Sequence, residues 1–274
     1  MTAGSTVDWS RTGDGYYTRL DDGVLTIAFN APEARNPFRQ AMSTDFAAIF
    51  AQAENDPEVR CLLFRGEGDH LTSGGDLAGF KRSLDMPRKE LQAQFHDRMN
   101  LAKTMAEKLV AVGKPILVRA RGAVAGAGML IPLAADLVIG DETTTFVFAY
   151  NRVGLTPDGG VSWLLPRAVG PRQAKRLLLT TAAIGAEEAQ HLGLVDQIVP
   201  FDKLDETVAK AARQFASTAL GAAGRTKALI DQAMSTTLSD QLILERENIV
   251  ASVGTDDFAE GVNAFLEKRG PKFE

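Results

Sequence analysis

Three glycine-rich segments of the chain carry residues that could stabilise and protonate a negatively charged intermediate. Two of them, residues 71–77 and 122–128, each follow a β-branched apolar run and precede a stretch compatible with a helix. Glycine permits positive φ and a close approach of a ligand to the main chain, and the start of a helix leaves N–H groups free. Two such segments can aim backbone N–H groups at one developing oxyanion. The third segment, residues 154–160, contributes one carboxylate, Asp158.

Other side chains that often do chemistry give weaker signals. The three histidines are scattered, with no cysteine or acidic residue at the spacing of metal ligands, so no metal site is predicted. The single cysteine, Cys61, lies in an apolar run and has no partner for an internal disulfide. These features favour a buried, inert thiol.

The composition is that of an ordinary globular protein, with 274 residues, 45% of them hydrophobic and 24% charged. The formal net charge of −5 offers no global attraction to nucleic acid or to anionic lipid. No apolar run approaches the roughly 20 residues that a membrane-spanning helix needs, and the polar N-terminus lacks a hydrophobic signal core. We therefore expect no nucleic-acid or membrane partner, and a cytoplasmic location.

Turn residues and apolar runs indicate the elements that must position the glycine-rich segments. Residues 1–15 are polar and are predicted to be mobile, and a hairpin is predicted over 16–29. Apolar runs at 59–65 and 114–118 predict buried strands that lead into the first two glycine-rich segments. The charged stretch 79–98 is predicted to be an irregular surface loop that borders the pocket.

The order strand, strand, helix recurs through most of the chain, whereas the last quarter is helical throughout. We therefore predict an α/β core over residues 16–200. A helical C-terminal region over 201–274 is predicted to cover this core or a neighbouring subunit.

The order of these motifs resembles the crotonase superfamily, the enoyl-CoA hydratases and isomerases. The resemblance extends over residues 16–273 and is carried by residues 71–77, 115–128, 133–136, 154–160, 165–170, 186–196 and 260–269. It implies a spiral of ββα turns, a C-terminal region that mediates contacts in a homotrimer or a dimer of trimers, and a role in fatty acid metabolism. It also implies an acyl-CoA thioester as ligand, with CoA as part of the substrate and no separate cofactor.

The resemblance also implies roles for individual residues. In the family, two main-chain N–H groups hold the thioester oxygen, and the matching positions here are Gly75 and Ala127. The two glutamates with which hydratases add water correspond to Leu130 and Tyr150. Leucine cannot exchange a proton, and a tyrosine with a pKa of about 10 is mostly a hydrogen-bond donor at neutral pH. The chain therefore departs from the hydratase pattern.

Asp158 matches the aspartate of family members that shift double bonds, and the stretch around it resembles the 1,2-epoxyphenylacetyl-CoA and Δ3,Δ2-enoyl-CoA isomerase groups. One carboxylate suffices for a 1,3-proton shift, so we predict an acyl-CoA isomerase with Asp158 as its proton shuttle. The apolar residues Leu130, Val153 and Trp163 are expected to raise the pKa of Asp158 by desolvation. Tyr150 is expected to line the pocket or donate a hydrogen bond, with core packing as the alternative.

Several alternatives stay open. Asp158 could cap the following helix, because aspartate is a favoured N-cap residue. It could activate water in a hydratase or in a C–C or thioester hydrolase, or the chain could be an acyl-CoA-binding member without chemistry. A dehalogenase-like branch uses this aspartate as a nucleophile, but the position of its base histidine matches Glu107 here, which argues against displacement chemistry.

The resemblance places the adenine and pantetheine along the first glycine-rich segment, with basic residues near the phosphates. The predicted substrate contacts are Ser73, Gly74, Asp76, Leu77, Leu130, Tyr150, Trp163, Arg35 and Lys268. Lys268 is placed on the C-terminal helix, where a neighbouring subunit could supply it.

Overall fold

The computed structural model describes residues 7–273. Its strands are β1 (Arg11–Gly13), β2 (Tyr16–Asp21), β3 (Val24–Phe29), β4 (Pro37–Phe38), β5 (Cys61–Gly66), β6 (Gly74–Gly75), β7 (Ile116–Ala120), β8 (Ala123–Ala125), β9 (Leu137–Asp141), β10 (Thr145–Val147), β11 (Ala183–Gly185) and β12 (Gln197–Val199). Its helices are α1 (Gln40–Asn55), α2 (Leu77–Ser83), α3 (Arg88–Val110), α4 (Leu130–Ala134), α5 (Val161–Leu179), α6 (Ala186–His191), α7 (Phe201–Ala216), α8 (Leu220–Ala233), α9 (Leu238–Val253) and α10 (Asp256–Leu266).

The chain repeats one unit: a strand of a large sheet, a short strand of a smaller sheet, then a helix. The large sheet has the order β1-β2-β3-β5-β7-β9-β12, and its strands from β3 onward are parallel. The short strands β4 and β6 pair with each other, and β8 pairs with β10 in a three-stranded sheet. This repeat confirms the predicted α/β core of ββα turns. Two of the short strands, β6 and β8, are parts of the first two glycine-rich segments.

Helix α1 covers one face of the large sheet with aromatic side chains. Phe46 packs against Phe29 of β3, with ring centroids 5.9 Å apart, and Phe50 packs against Phe64 of β5 at the same distance. All four rings are almost completely buried. Aromatic side chains bury large apolar areas, so this cluster fixes α1 on the sheet.

Helix α7 covers the opposite face of the same sheet. Its buried apolar residues pack against Cys61, Leu117 and Ile139. Cys61 is completely buried, as predicted, and burial raises the pKa of its thiol to about 12. Parallel strands covered on both faces form unbroken apolar runs, which explains why their positions follow from the sequence. The first helix of the predicted C-terminal region, α7, therefore packs against the sheet of the core.

The folded core begins earlier in the chain than predicted. Strand β1 pairs with β2 in antiparallel register, and Trp9 is only 4% exposed. The indole N–H of Trp9 donates a hydrogen bond to the carboxylate of Asp56, 2.8 Å away. The prediction of a mobile segment over 1–15 is therefore wrong for residues 9–13, while residues 1–6 lie outside the described residues.

The prediction of an irregular loop over residues 79–98 is also wrong, because this stretch forms most of α2 and the first half of α3. The side chain of Asp76 caps α2 by accepting a hydrogen bond from the N–H of Gly79, at 2.8 Å. Pro87 precedes the first turn of α3, where its missing N–H removes no helical hydrogen bond. The two helices are joined by a contact between Phe80 and Phe95, whose ring centroids are 5.2 Å apart.

The C-terminal helices α8, α9 and α10 present many apolar side chains to solvent. The exposed ones are Ile230, Met234, Leu238, Leu242, Ile243, Ile249, Val250, Val253, Phe258, Val262, Phe265 and Leu266. The helical character predicted for this region is confirmed. No helix within residues 7–273 combines the length and apolarity needed to cross a membrane.

Candidate active site

The first two glycine-rich segments lie against each other. The N–H of Ala125 donates to the carbonyl oxygen of Thr72, 3.1 Å away. Gly74 has a φ of +84°, and a Cβ atom at this position would lie 2.7 Å from the carbonyl oxygen of Ala125. Gly126 also has a positive φ, and a Cβ atom there would lie 3.9 Å from the backbone nitrogen of Gly75. Only glycine at position 74 allows the two backbones to approach this closely.

Gly75 and Ala127 occupy the junction of the two segments. Gly75 directly follows the left-handed turn at Gly74. Ala127 lies in the first turn of a short 3-10 helix, Gly126–Met129. The first N–H groups of a helix have no acceptor within that helix, so this turn can present a free donor.

Two cavities adjoin at this junction. The smaller, of about 300 Å³, is lined mainly by apolar residues, and the larger, of about 380 Å³, also contains charged side chains. The residues that line both are Gly75, Phe80, Met99, Ala127 and Asp158. A ligand can therefore extend into both cavities while it passes the same backbone groups and the same carboxylate.

The carboxylate of Asp158 accepts a hydrogen bond from the hydroxyl of Tyr150, with 3.1 Å between the oxygens. Within residues 7–273, Asp158 is the only carboxylate that lines the smaller cavity. Burial raises the pKa of Asp158, and the hydrogen bond from Tyr150 partly opposes this shift. Burial and the nearby carboxylate raise the pKa of Tyr150 strongly, so its hydroxyl stays protonated at neutral pH.

The side chain of Asp158 does not cap helix α5, whose N-cap is Gly160. Asp158 meets the helix only through its carbonyl oxygen, which accepts from the N–H of Val161 at 3.0 Å. The carboxylate is left to interact with Tyr150 and the cavities. The capping role that the sequence left open for this carboxylate is therefore excluded.

The three apolar residues expected around Asp158 have different positions. Leu130 is completely buried, and its Cδ1 atom would be 3.8 Å from a Cβ atom at Gly160. Val153 lines the smaller cavity. Trp163 is 48% exposed and stacks on the guanidinium of Arg167, 3.5 Å from the ring centroid. It lines neither cavity, so its predicted role in the pocket is wrong.

The predicted substrate contacts of the first segment are mostly placed at the cavities. Ser73 and Leu77 line the smaller cavity, and Asp76 lines the larger one. The carboxylate of Asp76 is already engaged, since it caps α2 and lies 3.5 Å from the guanidinium of Arg82. Gly74 is buried between the two segments rather than exposed to a cavity.

The two predicted phosphate contacts lie elsewhere. Arg35 is exposed, and its carbonyl oxygen accepts from the N–H of Ser73 at 2.8 Å. Lys268 is exposed just after α10. Neither side chain lines either cavity. Among the described residues, no cluster of three or more metal-ligating side chains occurs.

Arg98 lines the larger cavity, although the sequence did not indicate it as a site residue. Its guanidinium lies 5.0 Å from the ring centroid of Phe80 and 5.1 Å from that of Phe95. Phe95 and Arg98 are three residues apart on α3 and therefore share one face of the helix. This spacing is a signal that becomes readable once the stretch 79–98 is recognised as helical.

One family model and several known proteins match most of this chain. Residues 19–274 match the family model described as enoyl-CoA hydratase/isomerase. The 1,2-epoxyphenylacetyl-CoA isomerase of Escherichia coli (strain K12) is 34% identical, over 93% of this chain and 97% of its own. A probable enoyl-CoA hydratase of Rhodobacter capsulatus is 33% identical, over 93% and 95%.

Solved structures with enoyl-CoA hydratase in their names also resemble this chain. The crystal structure of a putative enoyl-CoA hydratase from Streptomyces coelicolor A3(2) superposes with a TM-score of 0.89 at 30% identity. The match covers 100% of this chain and 98% of that one. The names of the relatives thus include both isomerases and hydratases.

Proposed function

The chain belongs to the enoyl-CoA hydratase/isomerase family, the crotonase superfamily, and we propose that within it this protein is an acyl-CoA isomerase that shifts a double bond, or rearranges a ring, through a thioester enolate. One observation carries the proposal: among the carboxylates of residues 7–273, Asp158 alone lines the apolar cavity beside Gly75 and Ala127. The two positions at which the family's hydratases carry glutamates hold Leu130 and Tyr150. A site with one base favours proton transfer over the addition of water.

In the proposed reaction, the carbonyl oxygen of a 3-enoyl thioester accepts hydrogen bonds from the N–H groups of Gly75 and Ala127. The ionised carboxylate of Asp158 removes a proton from C2, and the electron pair delocalises into a dienolate whose charge lies largely on that oxygen. The protonated carboxyl then delivers the proton to C4, which leaves the double bond between C2 and C3. Loss of one such oxyanion donor typically raises the barrier by about 2.7–4 kcal/mol.

Tyr150 is proposed to orient the base rather than to exchange a proton. Its strongly raised pKa keeps the hydroxyl protonated, so it donates to Asp158 in both ionisation states of the carboxyl group. Burial moves the pKa of Asp158 toward neutral pH, which suits a group that must accept and release a proton in one cycle. CoA enters this scheme only as part of the substrate, and no separate cofactor takes part.

Product identification in water labelled with heavy oxygen tests this function. We expect a 3-enoyl-CoA to yield the 2-enoyl-CoA without incorporation of label, and 1,2-epoxyphenylacetyl-CoA tests the ring-rearranging form of the same chemistry. A labelled hydroxyacyl-CoA from a 2-enoyl-CoA would identify a hydratase, and a labelled free acid would identify a hydrolase. Binding of these thioesters without turnover of any of them would identify an acyl-CoA-binding protein. Each of these three outcomes would overturn the proposal that the protein is an isomerase.

A further inference from the structure

The larger cavity contains a guanidinium group, that of Arg98, which forms no ion pair within the described residues. Arg98 projects from α3 beside the rings of Phe80 and Phe95, which contact each other, and its guanidinium lies about equally far from both. One of its terminal nitrogens, Nη2, donates to the side-chain oxygen of Gln40 at 3.0 Å. Its Nε atom is buried and has no hydrogen-bond partner. No carboxylate of residues 7–273 forms an ion pair with Arg98, although the charge of Asp76, which lines the same cavity, opposes the lowering of its pKa.

The other two arginines that line this cavity differ from Arg98. Arg39 is paired with Asp14, and Arg82 lies 3.5 Å from the carboxylate of Asp76. Arg82 is also largely exposed. Arg98 alone of the three combines a buried donor with the lack of a carboxylate partner.

An unpaired buried donor of this kind is costly for the protein unless a ligand satisfies it. A buried polar group without a partner loses the hydrogen bonds that it would make to water. Burial also lowers the pKa of the Arg98 guanidinium, which means that the charge is partly removed from solvent. The two aromatic rings hold the charge in place through cation–π contacts without neutralising it.

Arg98 lies in a cavity that the proposed base, Asp158, also lines. This cavity adjoins the smaller one along Gly75 and Ala127. A thioester held at these backbone groups can therefore extend one part into the cavity that contains Arg98. The planar edge of a guanidinium matches the two oxygens of a carboxylate.

We propose that Arg98 is a specificity-determining residue that binds a carboxylate on the acyl chain, so that the preferred substrates are CoA thioesters of acids with a second anionic group. This assignment rests on the proposed function only in taking the ligand to be an acyl-CoA. The phosphates of CoA are the other anions that could reach the same guanidinium, and the experiment distinguishes the two sources.

Binding measurements on matched pairs of thioesters test the assignment. The pairs are glutaryl-CoA with pentanoyl-CoA and suberoyl-CoA with octanoyl-CoA, which differ only in a terminal carboxylate. We expect the wild-type protein to bind at least one carboxylate member about tenfold or more tightly than its partner. Arg98→Met is expected to remove this preference while leaving the affinity for free CoA and for the uncharged thioesters within about twofold, and Arg98→Lys to restore part of it.

The control is Arg82→Met, which removes a positive charge from the same cavity but from an exposed position. We expect this variant to keep the preference for the carboxylate member. Equal affinities of the wild-type protein for both members of each pair would overturn the proposal. An equal loss of affinity for free CoA in Arg98→Met would assign the residue to a phosphate instead. Because binding needs no turnover, failure of the isomerase proposal would leave these results interpretable.

Discussion

The hydroxyl of Tyr150 donates a hydrogen bond to Oδ1 of Asp158, with 3.1 Å between the two oxygens. Tyr150 occupies a position at which the family's hydratases are expected to carry a glutamate. A phenol with a strongly raised pKa cannot replace that glutamate as a base, but it can fix the orientation of a neighbouring carboxylate. The contact therefore places a hydrogen-bond donor, in the position of a second acid, beside the carboxylate of Asp158.

Replacement of Tyr150 by phenylalanine tests this relationship through the pH dependence of turnover. The hydrogen bond stabilises the ionised form of Asp158 and lowers its pKa, so its removal should raise that pKa further. Hydrogen bonds to charged groups are among the stronger ones in proteins. We expect the acidic limb of the kcat/KM profile of Tyr150→Phe to move to higher pH.

The matched control is Tyr17→Phe, because Tyr17 donates to the carboxylate of Glu67 at 2.7 Å in a similar pair that lines neither cavity. Its profile should coincide with that of the wild-type enzyme. A profile of Tyr150→Phe that coincides with the wild type at every pH would show that Tyr150 serves packing alone.

Asp158→Asn is expected to separate binding from turnover. Asparagine keeps the shape of the side chain and can still accept from Tyr150, but it cannot remove a proton. Positioned general bases contribute about 10²–10⁴-fold to rates, so kcat for 3-enoyl-CoA isomerisation should fall by a factor in this range. Calorimetric titration with a saturated acyl-CoA should show little change in affinity. Full turnover in this variant would eliminate Asp158 as the base.

The same substitution should stabilise the protein at neutral pH. The folded-state pKa of Asp158 is raised, so ionisation of this buried group destabilises the fold at pH values above that pKa. Removing the charge should therefore raise the free energy of unfolding near pH 7, and with it Tm. The gain should shrink as the pH falls through the raised pKa toward the ordinary aspartate value of about 3.9, because the wild-type carboxyl then becomes neutral as well.

Asp14→Asn provides the comparison for stability, since Asp14 lines the larger cavity but is exposed and paired with Arg39. It should give no gain in Tm at any pH. A lower Tm for Asp158→Asn at neutral pH would contradict the interpretation of Asp158 as a desolvated carboxylate.

The C-terminal helices lead to a prediction about assembly. Phe265 of α10 is 83% exposed and lies among other exposed apolar side chains of α8 to α10. Exposed apolar surface of this extent is typical of a protein–protein interface. We expect a homotrimer or a dimer of trimers in light-scattering measurements, and a smaller particle for Phe265→Glu. Leu179→Glu, at a position that is 70% exposed at the end of α5, should keep the wild-type mass. A monomeric wild-type protein would refute this expectation.

Features that depend on local sequence were predictable. The buried parallel strands β5 and β7 form continuous apolar runs, and the hairpin of β2 and β3 has its turn chemistry at residues 21–23. The glycine-rich segments could be located because their contact requires glycine at position 74. Asp158 was predicted as the central carboxylate, and it lines a cavity together with Gly75 and Ala127; its role stays a prediction.

Features that depend on distant partners were not predictable. Trp9 is anchored by Asp56, which lies 47 residues away, so the polar composition of the N-terminal segment gave no indication of the buried ring. Trp163 lies near Asp158 in sequence, but it stacks on Arg167 instead of facing the pocket. Arg98 resembles any solvated charge in the sequence, and only the packing of Phe80 against Phe95 reveals its burial.

The contact between the two glycine-rich segments is expected to control activity, and Gly74→Ala tests it. The substitution combines a φ of +84° with a methyl group 2.7 Å from the carbonyl oxygen of Ala125. The backbone segments must then move apart, which displaces the N–H groups of Gly75 and Ala127 from the position proposed for the substrate oxygen. Gly170→Ala shares the positive φ, but its Cβ atom would have no neighbour within 4 Å. Both variants should lose roughly 1–3 kcal/mol of stability from the unfavourable backbone conformation, whereas only Gly74→Ala should lose kcat as well, by roughly 10²-fold or more. Equal kcat values for the two variants, measured at a temperature at which both are folded, would show that the contact between the segments does not position the catalytic N–H groups.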